Sequence, residues 1–393
     1  MLSIVPPLSL YVHFPWCVRK CPYCDFNSYT LKTELPESTY VDALLADLDS
    51  QAQEIGARPL ISIFLGGGTP SLFSAGAIRK VLDRARLRFG FVDEIEVTLE
   101  ANPGAIERGK FADFRDAGVN RVSLGAQTFD SRRLRALGRI HSPDETRRAA
   151  AELHAAGLEN FNLDLMYALP EQDVQGALED LEAALALSPA HISHYQLTLE
   201  PGTVFAGDPP QLPSDDDAAE MLDVCQQRLT AAGFDQYEIS AYGKKYRQCR
   251  HNRNYWLFGD YVGIGAGAHG KLSYPGSWPI RTVQQREPRR YLALAPNAIA
   301  CNEVPVEELP FEFMLNALRL MEGFDESVFV AHTGLIWDTI APQMRDLEAE
   351  GLVVRTESLW KPSELGSRFL NDVLIRFLNR RSEASERTVR TAS

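Results

Sequence analysis

The chain has 393 residues, enough for one large α/β unit and a smaller one. Its 45% hydrophobic and 24% charged content is ordinary for a globular protein, and no apolar run approaches the ~18 residues of a membrane span. A net charge of −13 argues against a general nucleic-acid binder, which needs a basic face to neutralise phosphates.

The opening stretch MLSIVPPLSLYVHFPW is apolar, but it has no basic lead, is broken by Pro6 and Pro7, and carries His13. It is not read as a signal peptide. Six cysteines, three of them packed into one short loop, suit a reducing compartment and a metal site better than a disulfide framework. The cytoplasm is the expected location.

Six short β-branched or apolar runs alternate with helical patterns: LSLYVHF (8–14), LISIFL (60–65), EIEVTLE (94–100), RVSLGAQ (121–127), NFNLDLMY (160–167) and HISHYQLTL (191–199). Ser142-Pro143-Asp144-Glu145 reads as a capping box with proline at the first helical position, closed by Gly157. Ser214 opens a second helix with acids in its first turn and Gly233 just past its end. Strand and helix in alternation with short connections imply a parallel sheet. Six units fall short of the eight that close a barrel, so the expected fold is α/β, a partial open (β/α)6 barrel over residues 1–235.

Residues 236–303 read as an irregular connecting region, with "KLSYPGSWP" as loop and Cys301 in the join to the next unit. From 304 to 380 the order amphipathic helix, helix (337–352), hairpin LVVRTESLWKP and closing helix suggests a small winged-helix-like domain. That unit holds 7 Lys and Arg against 14 Asp and Glu between 302 and 380, which argues against DNA binding. Residues 381–393 read as a disordered tail.

The chemistry-bearing residues fall at the C-terminal ends of the strands, the face on which barrel enzymes build their sites. The cysteine loop follows the first strand and GGGTP (Gly66–Pro70) the second; Glu100, Gln127 and Asp164 lie at or near the ends of the next three. Cys17, Cys21 and Cys24 form C-x3-C-x2-C, a soft donor set for zinc or an iron–sulfur cluster. A structural zinc would need a fourth ligand, His13 or His251. A [4Fe–4S] cluster held by three cysteines would keep one iron open.

This spacing, with Tyr23 before the last cysteine and GGGTP after the second strand, resembles the radical S-adenosylmethionine (SAM) superfamily. The stretches FLGGGTPSL, LEANPG, RVSLGAQTF, LGRIH, NLDLMYALP and HNRNYW…GIGAGAHGK are similar to the oxygen-independent coproporphyrinogen III oxidase family and to its haem-chaperone branch. The resemblance implies that SAM chelates the open iron. It carries cofactor contacts onto Tyr11, Tyr23, Gly67, Gly68, Thr69 and Glu100, and a second group onto Gln127, Arg139, Asp164 and Thr198. Phe26 stands where the oxidases carry a fourth cysteine, and phenylalanine neither ligates metal nor relays protons. The resemblance therefore implies haem as cargo, delivered to an acceptor protein, with coproporphyrinogen III dehydrogenation as the alternative. Association with a membrane periphery stays open.

Within HNRNYW, His251 is the candidate axial ligand, and Tyr255 and Trp256 offer flat apolar surface to a macrocycle. Cys249 is a rival ligand. The segment GIGAGAHG (Gly263–Gly270) has no helix pattern after it and reads as close backbone packing beside the site, not as a dinucleotide fingerprint. Cys225 reads as core.

Overall fold

A computed structural model describes residues 2, 4–104, 109–297 and 299–378; the expected tail lies outside them. Six parallel strands run in chain order: β1 (Leu8–Phe14), β2 (Leu60–Gly67), β3 (Phe91–Ala101), β4 (Arg121–Gln127), β5 (Phe161–Tyr167) and β6 (His191–Gln196). All six expected strands are present, with ends shifted by at most three residues. The sixth stops at Gln196, so Thr198 lies in the following loop.

Each strand carries apolar residues at period two on the face that the helices cover. On β1, Leu8, Leu10, Val12 and Phe14 are buried against the outer helices, including Glu37–Ile55 and Ala75–Phe89. Burying each such side chain contributes roughly 1.5–3 kcal/mol. The alternate residues point the other way and are largely polar. Registers Tyr11↔Phe64, Phe64↔Thr98, Glu100↔Ser123, Ser123↔Asn162 and Asp164↔Ser193 carry that inner face from strand to strand. The sheet curves around a polar interior without closing.

Residues 236–303 are not irregular. After β7 (Asp235–Glu238) and β8 (Ala241–Gly243), which pair antiparallel beside β6, the chain returns as β9 (Asp260–Ile264), parallel to β1. Strands β10 (His269–Leu272), β11 (Ile280–Gln284) and β12 (Ile299–Glu303) then extend the sheet antiparallel to twelve strands, in the order β12-β11-β10-β9-β1-β2-β3-β4-β5-β6-β8-β7. Glycine masks the strand signal here, because its positions are set by close backbone approach. A side chain at Gly263 would meet the His269 carbonyl oxygen at 2.0 Å. Cys301 correspondingly sits exposed on the edge strand β12, not in a loop. Cys225 is buried in the helix Asp215–Ala231, as expected.

The capping boxes at Ser142 and Ser214 are both formed, and Gly157 and Gly233 take positive φ just past those helices. A second core, including Phe313, Phe329, Met344, Leu347 and Trp360, lies in the C-terminal unit. There a hairpin (Val353–Thr356, Leu359–Pro362) and the short strand Phe324–Asp325 form a three-stranded sheet beside the helices Leu309–Ala317, Glu326–Thr333 and Ala341–Ala349. The closing helix is split into Glu364–Arg368 and Leu370–Ile375. Among the described residues, no helix is long and apolar enough to cross a membrane.

Candidate functional site

The loop after β1 begins with a two-residue strand, Trp16–Cys17, paired parallel with Tyr29–Thr30, so the three cysteines hang from a closed lobe. Gly68 lets this lobe sit on the end of β2. A Cβ there would lie 2.6 Å from the Trp16 carbonyl oxygen, and the Gly68 N–H donates to the Phe14 carbonyl at 2.7 Å. Gly138, in LGRIH, supports the lobe from below, with Pro22 2.7 Å from where a Cβ would stand.

Cys17, Cys21 and Cys24 line one cavity of about 630 Å3, each partly exposed. Tyr23, Gly67, Gly68, Thr69, Glu100, Gln127, Arg139, Asp164 and Thr198 line the same cavity. Burial pushes the Cys17 thiol above its ordinary pKa; the Thr69 hydroxyl opposes this, and the neighbouring thiols add to it. Among the described residues no three His, Cys, Asp or Glu side chains meet as a ready site for a single metal ion. The donor set suits a cluster, in which separate irons each take one thiolate.

The polar lining is internally braced. Arg139 reaches Cys21 Sγ at 3.9 Å and donates to Asn102 Oδ1 (2.6 Å) and the Gly125 carbonyl (2.7 Å). Asn102 in turn donates to Thr69 Oγ1 at 3.0 Å. Asp164 accepts from Asn162 (2.7 Å) and Ser123 (3.1 Å), yet burial still raises its pKa. Gln127 holds a positive φ of 68° at the end of β4 and accepts from Tyr195 Oη at 2.8 Å. Glu100 accepts the Gly67 N–H at 3.0 Å, but burial, then the charge of Asp164, push it up to about 8.

Tyr11 is the exception among the residues assigned to this group. It lines a second cavity of about 540 Å3, together with His251, Tyr255 and Trp256. Gly67, Glu100 and Phe26 line both cavities. The second cavity lies between the barrel rim and β9–β10, and its other walls include Phe64, Tyr261 and Gly267. The Gly-rich segment packs closely, as expected. A Cβ at Gly267 would stand 2.1 Å from Asn27 Nδ2, which donates to the Ala266 carbonyl at 2.9 Å.

His251 lies on the helix Arg250–Trp256, whose first turn is capped by a distant side chain. Glu96 on β3 accepts the N–H groups of Arg250 (3.0 Å) and His251 (3.1 Å), placing a carboxylate at the positive helix end. Ser62 bonds His251 Nδ1 at 3.2 Å, and burial lowers the imidazole to about 3, so it is neutral across physiological pH. A neutral ring tied at Nδ1 keeps Nε2 for a metal. Cys249 is fully buried, bonds Glu96 at 3.5 Å and is pushed up to about 12, and it does not line the cavity. Arg319 covers one face of Trp256, 4.5 Å from the ring centroid.

Reading motifs alone missed Asn102, Ser123, Asn162, Ser193 and Tyr195, which brace this lining. A signal for most of them exists in polar residues at period two within buried strands, as in Asn162/Asp164 or Ser193/Tyr195, which mark a polar barrel interior.

Residues 11–184 match the model of the radical SAM superfamily, and residues 304–369 that of the HemN C-terminal domain. The chain is 48% identical to heme chaperone HemW of Escherichia coli (strain K12) over 379 residues, covering 95% of this chain and 99% of that protein. It is 34% identical to heme chaperone HemW of Bacillus subtilis (strain 168), covering 94% and 99%. The solved coproporphyrinogen III oxidase (HemN) from Escherichia coli, a radical SAM enzyme, superposes with a TM-score of 0.80 over 95% of this chain and 90% of that one, at 22% identity. That last likeness concerns the fold; with the identity to the curated relatives along nearly the full length, it follows that the chain belongs to the heme chaperone HemW family of the radical SAM superfamily.

Proposed function

We propose that the protein is a haem chaperone of the cytoplasm that binds a [4Fe–4S] cluster, SAM and haem, and passes the haem to an acceptor protein. In this reading Cys17, Cys21 and Cys24 hold the cluster. Tyr23, Gly67, Gly68, Thr69, Glu100, Gln127, Arg139, Asp164 and Thr198 receive SAM. When bound, that pair supplies an open iron and one-electron chemistry. The chain's own contribution is to orient: glycine backbone permits close approach, and Arg139 offers a fixed cation next to Cys21.

His251 is the proposed axial ligand for haem, with Tyr255, Trp256 and Tyr11 flanking the macrocycle. The observation that carries this reading is the second cavity, which gathers a neutral, Ser62-tied imidazole and an aromatic wall beside the thiol-lined cavity. Cys249 is the weaker candidate, being protonated and turned to Glu96. Ligation by one imidazole suits cargo that must leave, because an acceptor offering more ligands draws it away. Dehydrogenation of coproporphyrinogen is not favoured, since it rests on a likeness of fold while Phe26 replaces a cysteine.

Anaerobic titration of the cluster-loaded protein with haem tests the proposal. The wild type is expected to give a Soret shift that His251→Ala weakens at least tenfold, a loss of about 1.4 kcal/mol or more. Equal binding by both would remove His251 as the ligand. Protoporphyrinogen formed at turnover rates from coproporphyrinogen, SAM and a reductant would overturn the chaperone reading.

A further inference from the structure

The lining of the second cavity is chemically lopsided. Tyr11, Phe64, Tyr255 and Trp256 supply its aromatic lining, whereas Arg286 and His269, close enough for the charge of one to act on the other, are exposed to solvent. Among the described residues, Arg286 is the one arginine in its lining and Glu100, which also lines the cysteine-loop cavity, the one carboxylate.

The other arginines nearby are already engaged. Arg281, on β11, pairs with Glu312 and donates to Tyr261 Oη at 2.8 Å. Arg250 pairs with Glu94 and Arg253 with Glu322. Arg286 differs: its carbonyl oxygen accepts from Asn27 Nδ2 (3.0 Å) and Tyr29 Oη (3.3 Å), pinning its backbone to the cysteine lobe, while its guanidinium has no hydrogen bond or ion pair among the described residues. Charge from Arg281 and Arg286, added to burial, holds His269 below the usual imidazole range, so His269 is a neutral partner at this edge.

An exposed cation with a fixed backbone and no counter-ion, at the mouth of an aromatic slot, matches a flat apolar ligand with carboxylates on one edge. Haem is such a molecule: its two propionates share one edge of the ring. We infer that Arg286, with His269 beside it, is the propionate-binding edge of the cavity and fixes the direction in which haem enters. This rests on the haem reading above. Arg286 is a positioning residue for the cargo, since it meets the propionates and not the iron. A guanidinium offers a carboxylate paired donors in one plane, which a lysine could not reproduce.

The test compares ferric haem with its dimethyl ester, which has the same ring and iron but no propionate charge, on wild type, Arg286→Gln and His251→Ala. Arg286→Gln is expected to weaken ferric haem about tenfold, as for loss of one charge-assisted hydrogen bond, and the ester by less than twofold. Wild type is expected to prefer haem over the ester by a similar factor. Equal loss for both ligands, or no loss for haem, overturns the inference. Ferric haem bound undiminished by His251→Ala would overturn instead the reading on which it rests. Thermal unfolding of Arg286→Gln is expected to match wild type, because the side chain is exposed and unbonded.

Discussion

Glu100 stands where the two cavities meet, accepting one backbone hydrogen bond and facing a second buried acid. Removal from water penalises its charged form more than the Gly67 N–H can offset, so in the cluster-free chain its proton is released only near pH 8. An unfolded glutamic acid gives up its proton near the ordinary value of 4.5. Between these limits the folded chain holds a proton that the unfolded chain has lost. Stability from this group is therefore full below pH 4.5 and drains away as pH rises to 8, at up to about 1.4 kcal/mol per pH unit. Glu100→Gln keeps the acceptor for Gly67 and removes the titration. Urea midpoints of the cluster-free variant are expected to vary less from pH 5 to 8 than those of wild type, with the variant the more stable at the upper end. Parallel profiles would show that the carboxyl is solvated.

At the scale of elements, the corner between β9 and β10 is tightly constrained. Gly265 has φ 98°, and a Cβ there would lie 2.4 Å from the His13 carbonyl oxygen. Gly157, at φ 74°, has open space around it. Gly265→Ala is expected to cost about 2–4 kcal/mol and Gly157→Ala about 1 kcal/mol, measured by chemical denaturation. Similar costs would mean that backbone strain alone, and not the contact with β1, sets the penalty. This corner also shows where the sequence could be read and where it could not. The six parallel strands announced themselves because their helix-covered faces carry apolar residues at period two, and both capping boxes because cap chemistry is local. Strands β9–β12 did not: each is only four or five residues long, and glycines such as Gly263 and Gly270 answer to close backbone approach and not to a strand pattern. The cysteine lobe and part of the lining of the first cavity were legible from the motif set, but the bracing Asn102, Ser123, Ser193 and Tyr195 were not. The second cavity was legible in His251, Tyr255 and Trp256 but not in Phe64, Tyr261 or Arg286, since only the return of β9 alongside β1 draws these together.

Over the whole molecule, two cores approach each other at the helix Arg250–Trp256. Phe258, just past that helix, belongs to the C-terminal core, and His332 Nδ1 bonds the Leu257 carbonyl at 2.6 Å. Arg319 ties three parts together: it pairs with Glu238 on β7, lies over Trp256, and sits in the turn just past the helix Leu309–Ala317. Stacking of a cation on an indole contributes about 0.5–2 kcal/mol. Arg319→Ala is expected to lower stability by about 1–2 kcal/mol, to shift Trp256 emission, and to weaken haem by a few-fold through a loosened aromatic wall. Unchanged emission and haem affinity would mean that the C-terminal unit holds the helix by its apolar contacts alone.

Gly67, Glu100 and Phe26 belong to the lining of both chambers, so a single partition separates them. Such an arrangement binds the two occupancies by reciprocity: whatever factor a guest on one side imposes on the affinity of the other, the second guest must return in equal measure. On the proposed reading, loading and release of haem would then be governed from next door, without any change in the groups that grip it.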